Sequence, residues 1–422
     1  MSKRNENRPG YNKTKVGWLP EEWDYDCVRS TGSVLTGTTP STLHPEYYEG
    51  KHPFVTPVDM GFSPWIKNSV SALTDEGFKK ARKVCKGAVL FVCIGSTIGK
   101  VGIANVALAT NQQINTIIPD SNNMGPYLYY ALLYQSRRIA SYAGCQAVPI
   151  INKSQFESVR LPLPPLPEQK KIAEILSTWD EAIEQTHKLI DAKKRRKKAF
   201  MQQLLTGKKR LPEFSKSKGR SSYRFFDLPK DWECPQIRDV AQEYSERNTG
   251  RDERTVLSCS KHLGFVESSE YFGKQVFSAD TSNYKVIRRG YFGYPSNHIE
   301  EGSIGLLLSH DIGIVSPIYI VFKCIDRVIP EYLYAVFKTV TFKHIFAIST
   351  NASVDRRGSL RWRAFSLIRV PLPSIKEQQA IVEVLNVSDR EIAQLDTKLK
   401  SLEKQKRGLM QKLLTGEIRV QL

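Results

Sequence analysis

Apolar residues recur at spacings of four and three through the C-terminal stretch, at Ile381, Leu385, Ile392, Leu395, Leu399, Leu402, Leu409 and Leu413, with polar breaks at Ser388 and Lys406. This is the pattern of a heptad seam. An earlier stretch repeats it, less purely, at Ile172, Leu176, Trp179, Ile183, Thr186, Ile190, Lys193, Lys197, Phe200 and Leu204. Each seam closes on Leu-Leu-Thr-Gly, which puts Gly207 and Gly416 where a left-handed C-terminal cap belongs. Pro162, Pro164, Pro165 and Pro167 forbid helix upstream of the first seam and make Glu168 a first-turn residue. A helix from Glu168 to Leu205 is predicted, about 55 Å long at 1.5 Å per residue.

The seams belong to a longer internal repeat. The stretch LPLPPLPEQKKIAEILSTWDEAIEQ from Leu161 aligns without a gap to VPLPSIKEQQAIVEVLNVSDREIAQ from Val370. The same offset carries Phe200–Gly207 onto Leu409–Gly416, the LPEEW beginning at Leu19 onto the LPKDW beginning at Leu228, and Phe156 onto Phe365. The remaining regions agree only in outline, as in Tyr127-Leu128-Tyr129 against Tyr332-Leu333-Tyr334, where the local offset shortens. One scaffold is written twice and carries two different surfaces. Two long matched stripes favour each other as partners, and an approximate two-fold axis between the copies would run the helices antiparallel with the variable regions thrown to opposite ends. The predicted fold class is α+β: two α/β domains separated by two long antiparallel coiled-coil helices, as a pseudo-two-fold repeat. The expected boundaries are 1–160 for the first domain, 161–207 for the first helix and its Pro-rich lead-in, 208–222 for a polar linker, 223–369 for the second domain, and 370–422 for the second helix.

Composition turns this architecture toward a polyanion. The 422 residues carry a formal net charge of +19, and Lys and Arg gain affinity by releasing counterions from phosphates. No apolar run is long enough to span a bilayer, and MSKRNENRPG lacks the apolar stretch of a signal peptide, so a soluble cytoplasmic protein is expected. Seven scattered cysteines without a C-x-x-C read as buried thiols of a reducing compartment, with no metal site expected.

The P-L-P-x-x-x-E-Q run before each helix, the paired helices ending in L-L-T-G, and the alternation of variable with repeated regions resemble the DNA-specificity subunits of Type I restriction-modification systems. The resemblance spans essentially the whole chain. It implies two target-recognition domains that each read half of a split duplex DNA sequence, two methyltransferase subunits docked on the central helices, and motor and nuclease restriction subunits completing the complex. It further implies no cofactor in this chain, with S-adenosylmethionine, ATP and Mg²⁺ held by the partners. The heptad residues Ile172, Leu176, Trp179, Ile183, Ile381, Leu385, Ile392 and Leu395 are then the expected partner-binding set. Departures in the second copy, where Ser374 and Lys376 replace Pro165 and Pro167 and Ser388 replaces Trp179, bear on whether the two docking faces are equivalent.

The rival reading, a single-chain DNA-modifying or DNA-cleaving enzyme, requires catalytic motifs. The only Pro-Pro is Pro164-Pro165, so an adenine-methylating N-P-P-[YF] loop is missing. Gly95 to Val101 approaches a phosphate loop but has three residues between its glycines and a valine where Mg²⁺ needs a hydroxyl. Ser309-His310-Asp311 is an adjacent run, whereas hydrolase triads assemble from distant residues. Glu49-Gly50-Lys51 is too short a pattern to mark a nuclease. A coiled-coil scaffold without a DNA role is a third reading, opposed by the net charge and the two divergent basic domains.

Candidate DNA contacts in the first domain are Thr38 and Thr39, Ser96, Thr97 and Lys100, and the amides of Asn111, Gln112 and Gln113, which suit bidentate contact with adenine in the major groove. In the second they are Lys261, Asn297, His298, Arg356, Arg357 and Arg361, guanidinium groups suiting phosphate or the guanine edge. The run Lys193 to Lys198 places Lys194 and Arg195 on the first helix, where DNA backbone between the half-sites would pass. Six consecutive cations surround a helix, so some must face the partner helix and be offset by its acids.

Overall fold

The computed structural model describes residues 5–61, 63–144, 148–215, 219–249, 254–261, 263–351 and 359–421. Both heptad stretches are helical, Leu166–Leu204 over 39 residues and Ile375–Leu414 over 40. Gly207 and Gly416 end them at φ of 59° and 67°, the left-handed region in which a side chain is strained.

The chain divides into two compact units, Met1–Ile190 with Leu395–Leu422, and Asp191–Gln394. This division cuts through both helices and does not follow the expected boundaries. Each unit takes the start of the helix that follows its variable region and the end of the other helix.

In the first unit a five-stranded sheet runs in the order Gly32–Thr36, Ile114–Pro119, Val89–Val92, Val101–Ala104, Trp65–Ile66. Val89–Val92 is central and buried on both faces, which is why the sequence there is continuously apolar. Alternate side chains leave a strand on opposite faces. Val89 and Phe91 accordingly join a core with Tyr127, Leu132 and Phe156, while Leu90 and Val92 join another with Val55 and Leu108. The helix Gly125–Ala140 covers the first face. Ile172 and Leu176 from the first long helix, and Met410, Leu413 and Leu414 from the second, complete that core.

The second unit is built on the antiparallel sheet Ala241–Tyr244, Tyr319–Cys324, Phe292–Pro295, Gly305–Leu306. Its core is rich in rings, with Phe292 stacked on Phe322 at 4.8 Å and Phe337, Phe342, Phe346 and Phe365 packed around them. Leu204 and Leu205 enter from the end of the first long helix, Ile381 and Leu385 from the start of the second.

Two expectations change here. Ile172, Leu176, Ile381 and Leu385 are buried inside the chain's own cores, so they do not offer a face to a partner. Their spacing is that of a seam, but their first use is to fasten a helix to its own variable region. Trp179, Ile183, Ile392 and Leu395 remain half-buried. The stretch expected as a linker also gains structure: Arg220–Ser222 is a strand paired with Asp227–Pro229. Its polar sequence hid this because a backbone ladder and the Arg220–Asp227 ion pair, not apolar burial, hold it.

Candidate nucleic-acid interface

A repeated clamp supports each variable region. In the first unit Trp23 Nε1 donates to Glu168 at 2.9 Å, and Arg419 grips the same carboxylate through Nε at 2.7 Å and Nη2 at 2.9 Å. In the second, Trp232 Nε1 donates to Glu377 at 3.1 Å while Arg210 holds it through Nε at 2.8 Å and Nη2 at 2.7 Å. All three positions obey the repeat offset. Both glutamates are buried, and a buried charge persists where it is paired and hydrogen-bonded. The carboxylate bonds hold both guanidinium groups above the usual arginine range.

The neighbouring glutamine is equally spent. Gln169 Nε2 donates to the Pro164 carbonyl at 2.9 Å and its oxygen accepts from Met124 N at 3.0 Å. Gln378 repeats this with Pro373 and Ile329, each at 2.9 Å. Tyr127 and Tyr332 donate to the carbonyls of Pro162 and Pro371, and burial pushes both phenols well above their ordinary range. The E-Q pair of the motif thus ties the Pro-rich turn, the variable region and the distant helix end. The repeat offset holds the signal in the identity of Trp23 with Trp232, and of Arg210 with Arg419 only when it is carried past the Thr-Gly caps.

On this scaffold the three predicted turns of the first unit come together. Thr38 N donates to the Thr110 carbonyl at 2.9 Å, Thr39 Oγ1 donates to Gln112 at 2.6 Å, and Cys93 N donates to the Gln113 carbonyl at 2.8 Å. One sheet rim therefore presents residues 37–39, 95–97 and 111–113. Within it the side chains divide. Thr39, Ser96 and Gln112 are exposed, and Thr97 is half-buried. Thr38 Oγ1 accepts from Arg82 N at 3.0 Å, and Asn111 donates to Gln113 at 2.8 Å. Lys100 Nζ is turned to the Pro57 carbonyl at 2.9 Å, which corrects its reading as a phosphate contact, since a charged donor satisfied by its own backbone is not presented outward.

In the second unit Lys261 and His298 both approach Glu301 at 4.0 Å. Leu360 N donates to the Ser296 carbonyl at 2.7 Å, bringing Arg361 beside Asn297. Lys261, His298 and Arg361 are exposed, and Asn297 is half-buried. Arg356 and Arg357 lie outside the described residues.

The cation run behaves as helical geometry requires. Lys193 pairs with Glu391 at 2.7 Å and Lys197 with Asp389 at 2.5 Å, an antiparallel register within the second unit. The Lys193 ammonium holds the Glu391 carboxyl below its usual range. Lys194, Arg195 and Lys198 are exposed. In the first unit Asp180 pairs with Lys406 and accepts from Tyr130 Oη at 2.6 Å.

The other motifs carry no site. Gly95 to Lys100 leads into the strand Val101–Ala104, not into the helix a phosphate loop requires. Asp311 is taken by Arg289 at 2.7 Å, so the Ser309-His310-Asp311 run forms no triad.

Residues 20–193 match the family described as the Type I restriction modification DNA specificity domain. The Type I restriction enzyme MjaVIII specificity subunit of Methanocaldococcus jannaschii is 26% identical over 427 residues, covering 95% of this chain and 94% of that one. A putative Type I restriction enzyme MjaX specificity subunit of the same organism is 26% identical over 453 residues, with 97% of each chain covered. Among solved structures, the S subunit of a Type I restriction-modification system from M. genitalium superposes with a TM-score of 0.55 at 18% identity, over 93% of this chain and 96% of that one. A chain from a structure of the type I R-M system on complex assembly and conformational transition gives 0.54 at 13% identity, over 95% and 99%.

Proposed function

From the premise that this chain belongs to the family of Type I restriction-modification DNA-specificity subunits, we propose that its two units read the two halves of a split duplex target. Its part is recognition, not catalysis. The observation that carries the bipartite reading is the clamp: the same Trp–Glu–Arg constellation holds two variable regions whose polar rims differ. In this reading two α/β target-recognition domains are mounted on long antiparallel helices as a pseudo-two-fold repeat. Thr39, Ser96, Thr97 and Gln112 face one half-site, and Asn297, His298, Lys261 and Arg361 the other, while Lys194 and Arg195 meet phosphate between them.

Two methyltransferase subunits dock on this chain and supply S-adenosylmethionine chemistry, and a motor and nuclease subunit using ATP and Mg²⁺ completes the restricting complex. Four of the expected seam residues are buried within the chain, which leaves Trp179, Ile183, Ile392 and Leu395 of that set for docking. Mapping methylated bases genome-wide in a host carrying the whole system tests the proposal. A two-part motif is expected whose first half alone responds to changes at Thr39 and Gln112, and its second half alone to changes at Asn297 and Arg361. Methyl transfer by the purified chain without another subunit would overturn it.

A further inference from the structure

The helix Pro330–Phe337 of the second unit is fastened at both ends. At its start Ile329 N donates to Gln378 at 2.9 Å and Tyr332 Oη donates to the Pro371 carbonyl at 3.1 Å, so this end belongs to the repeated frame. At its other end Lys338 Nζ donates to the Gly302 carbonyl at 2.9 Å and to the Lys261 carbonyl at 3.4 Å. Tyr334, one turn earlier on the same face, has its ring centroid 5.3 Å from that ammonium, and a Cβ on Gly264 would come within 3.4 Å of its hydroxyl. Lys261 opens the turn between the strands Leu257–Ser260 and Gly264–Glu267, and Gly302 closes the turn that begins at Asn297 and His298. One ammonium therefore bridges the two turns that carry Lys261, Asn297 and His298.

Nothing else of comparable strength spans that gap. Lys261 and Glu301 approach each other across it at 4.0 Å, but both side chains are exposed, and a solvated pair at that distance holds little. Lys338 is half-buried, and burial pulls its ammonium below the usual lysine range. Among the described residues no carboxylate pairs with it. The carbonyls of the two turns are what satisfy the charge, so moving either turn away would leave a desolvated cation short of acceptors.

The first unit has the helix without the tie. Gly125–Ala140 is fastened to the frame in the same way, by Met124 N to Gln169 and by Tyr127 to the Pro162 carbonyl. The local repeat offset then sets Tyr129 opposite Tyr334 and Leu133 opposite Lys338. Leucine has no donor for a carbonyl, so the bridge belongs to one unit only.

We propose that Lys338 is a positioning residue for sequence reading by the second unit, fixing the separation of the turn at Lys261 from the turn at Asn297 and His298. Reading side chains on loops depend on a rigid element to hold them in register, and here that element is a helix anchored in the frame. Lys338 acts through the side chains of the two turns. Its donors are directed to backbone carbonyls, which argues against a phosphate contact as it does for Lys100.

The inference rests on the reading that the second unit recognises one half of the target, and one experiment separates the two. Binding selections on randomised duplexes are run with the full chain assembled with the other subunits of its system. The wild type is expected to return a two-part motif; an undivided motif would sink the reading and this inference with it. Lys338→Met keeps the stem and removes the donor, and is expected to lower discrimination in the second half roughly tenfold while the first half stays as it was. Lys338→Arg restores a charged donor and is expected to recover most of that loss. Hydrogen exchange is expected to quicken in Lys338→Met at residues 257–267 and 296–302. Should a thermal melt of the methionine variant shift, Lys338→Gln, which keeps a shorter donor, repeats the comparison and is expected to lose part of the same discrimination. A two-part motif whose second half is unaltered by Lys338→Met would overturn the proposal alone, as would a loss that arginine does not recover. An equal loss on target and random duplex would also overturn it, because that is the mark of a phosphate contact.

Discussion

The indole of Trp23 donates to the Glu168 carboxylate at 2.9 Å across 145 residues of chain. The side chain of Arg419, which shares that carboxylate, is 36% exposed, whereas Arg210 beside Glu377 is 9% exposed. The two clamps match in geometry and differ in how much water reaches the cation.

That difference sets unequal costs. Glu377→Ala leaves a nearly buried guanidinium to Asp231 alone, for which up to about 3–5 kcal/mol is expected. Glu168→Ala leaves Arg419 able to rehydrate, so roughly 1.5–3 kcal/mol is expected, the range for a lost hydrogen bond to a charged group. Urea unfolding followed by hydrogen exchange, read separately over the two units, is expected to rank them in that order. Equal losses would mean that Asp231, which also contacts Arg210 at 2.9 Å, fully compensates in the second unit.

A second contrast is built from one tyrosine. Asp180–Lys406 and Asp389–Lys197 occupy matched positions, but the first pair is 11% and 12% exposed beneath Tyr130, and Ala335 stands at the matching place in the second. Asp180→Ala is expected to cost about 3–5 kcal/mol, because an ammonium is left nearly dry. Asp389→Ala is expected to cost within about 1 kcal/mol, and that small effect to vanish in 1 M salt. Denaturant midpoints at two salt concentrations check both.

Much of this frame was legible because the repeat offset is constant: heptads, glycine caps and the E-Q motif all declared themselves. The closing cations did not, since Arg210 and Arg419 lie past the Thr-Gly caps, where the seams have ended and the flanking residues differ. Extending the offset a few residues past Gly207 and Gly416 would have found them. Burial of the matched seam residues Ile172 and Ile381 within their own units was hidden for another reason. A heptad records that a stripe is apolar, not whether a helix or a sheet covers it. Lys100 shows the limit at the rim, where a cation in a polar turn reads as outward until its carbonyl partner is known.

Recognition by the first unit is expected to centre on Gln112. It is exposed and held by Thr39, whereas Asn111 and Gln113 satisfy each other. Gln112→Ala should relax one base position by about 1–3 kcal/mol of discrimination and leave the other half-site unchanged. Asn111→Ala should instead loosen the whole turn. Binding selections on randomised half-sites distinguish these, and an unaltered motif with Gln112→Ala would remove it from the readers.

The last expectation concerns three exposed cations of the first long helix, Lys194, Arg195 and Lys198. Lys193 and Lys197 are committed to Glu391 and Asp389, and Arg196 lies over the Phe200 ring at 5.3 Å, which leaves Lys194, Arg195 and Lys198 of that run for phosphate. A phosphate contact releases counterions, and each one contributes about 0.9 to the slope of log affinity against log salt. Replacing all three by glutamine should therefore flatten that slope by up to roughly 2.7, if each meets a phosphate. The loss should be the same for target and for random duplex, because phosphate contacts carry no sequence information. Stability should hardly change, since the ion pairs of the helix are untouched. Titrations of the assembled complex on both duplexes at several salt concentrations read all of this together. An unchanged slope would move the DNA away from this face of the helix, and a loss confined to the target would mean that these cations read bases.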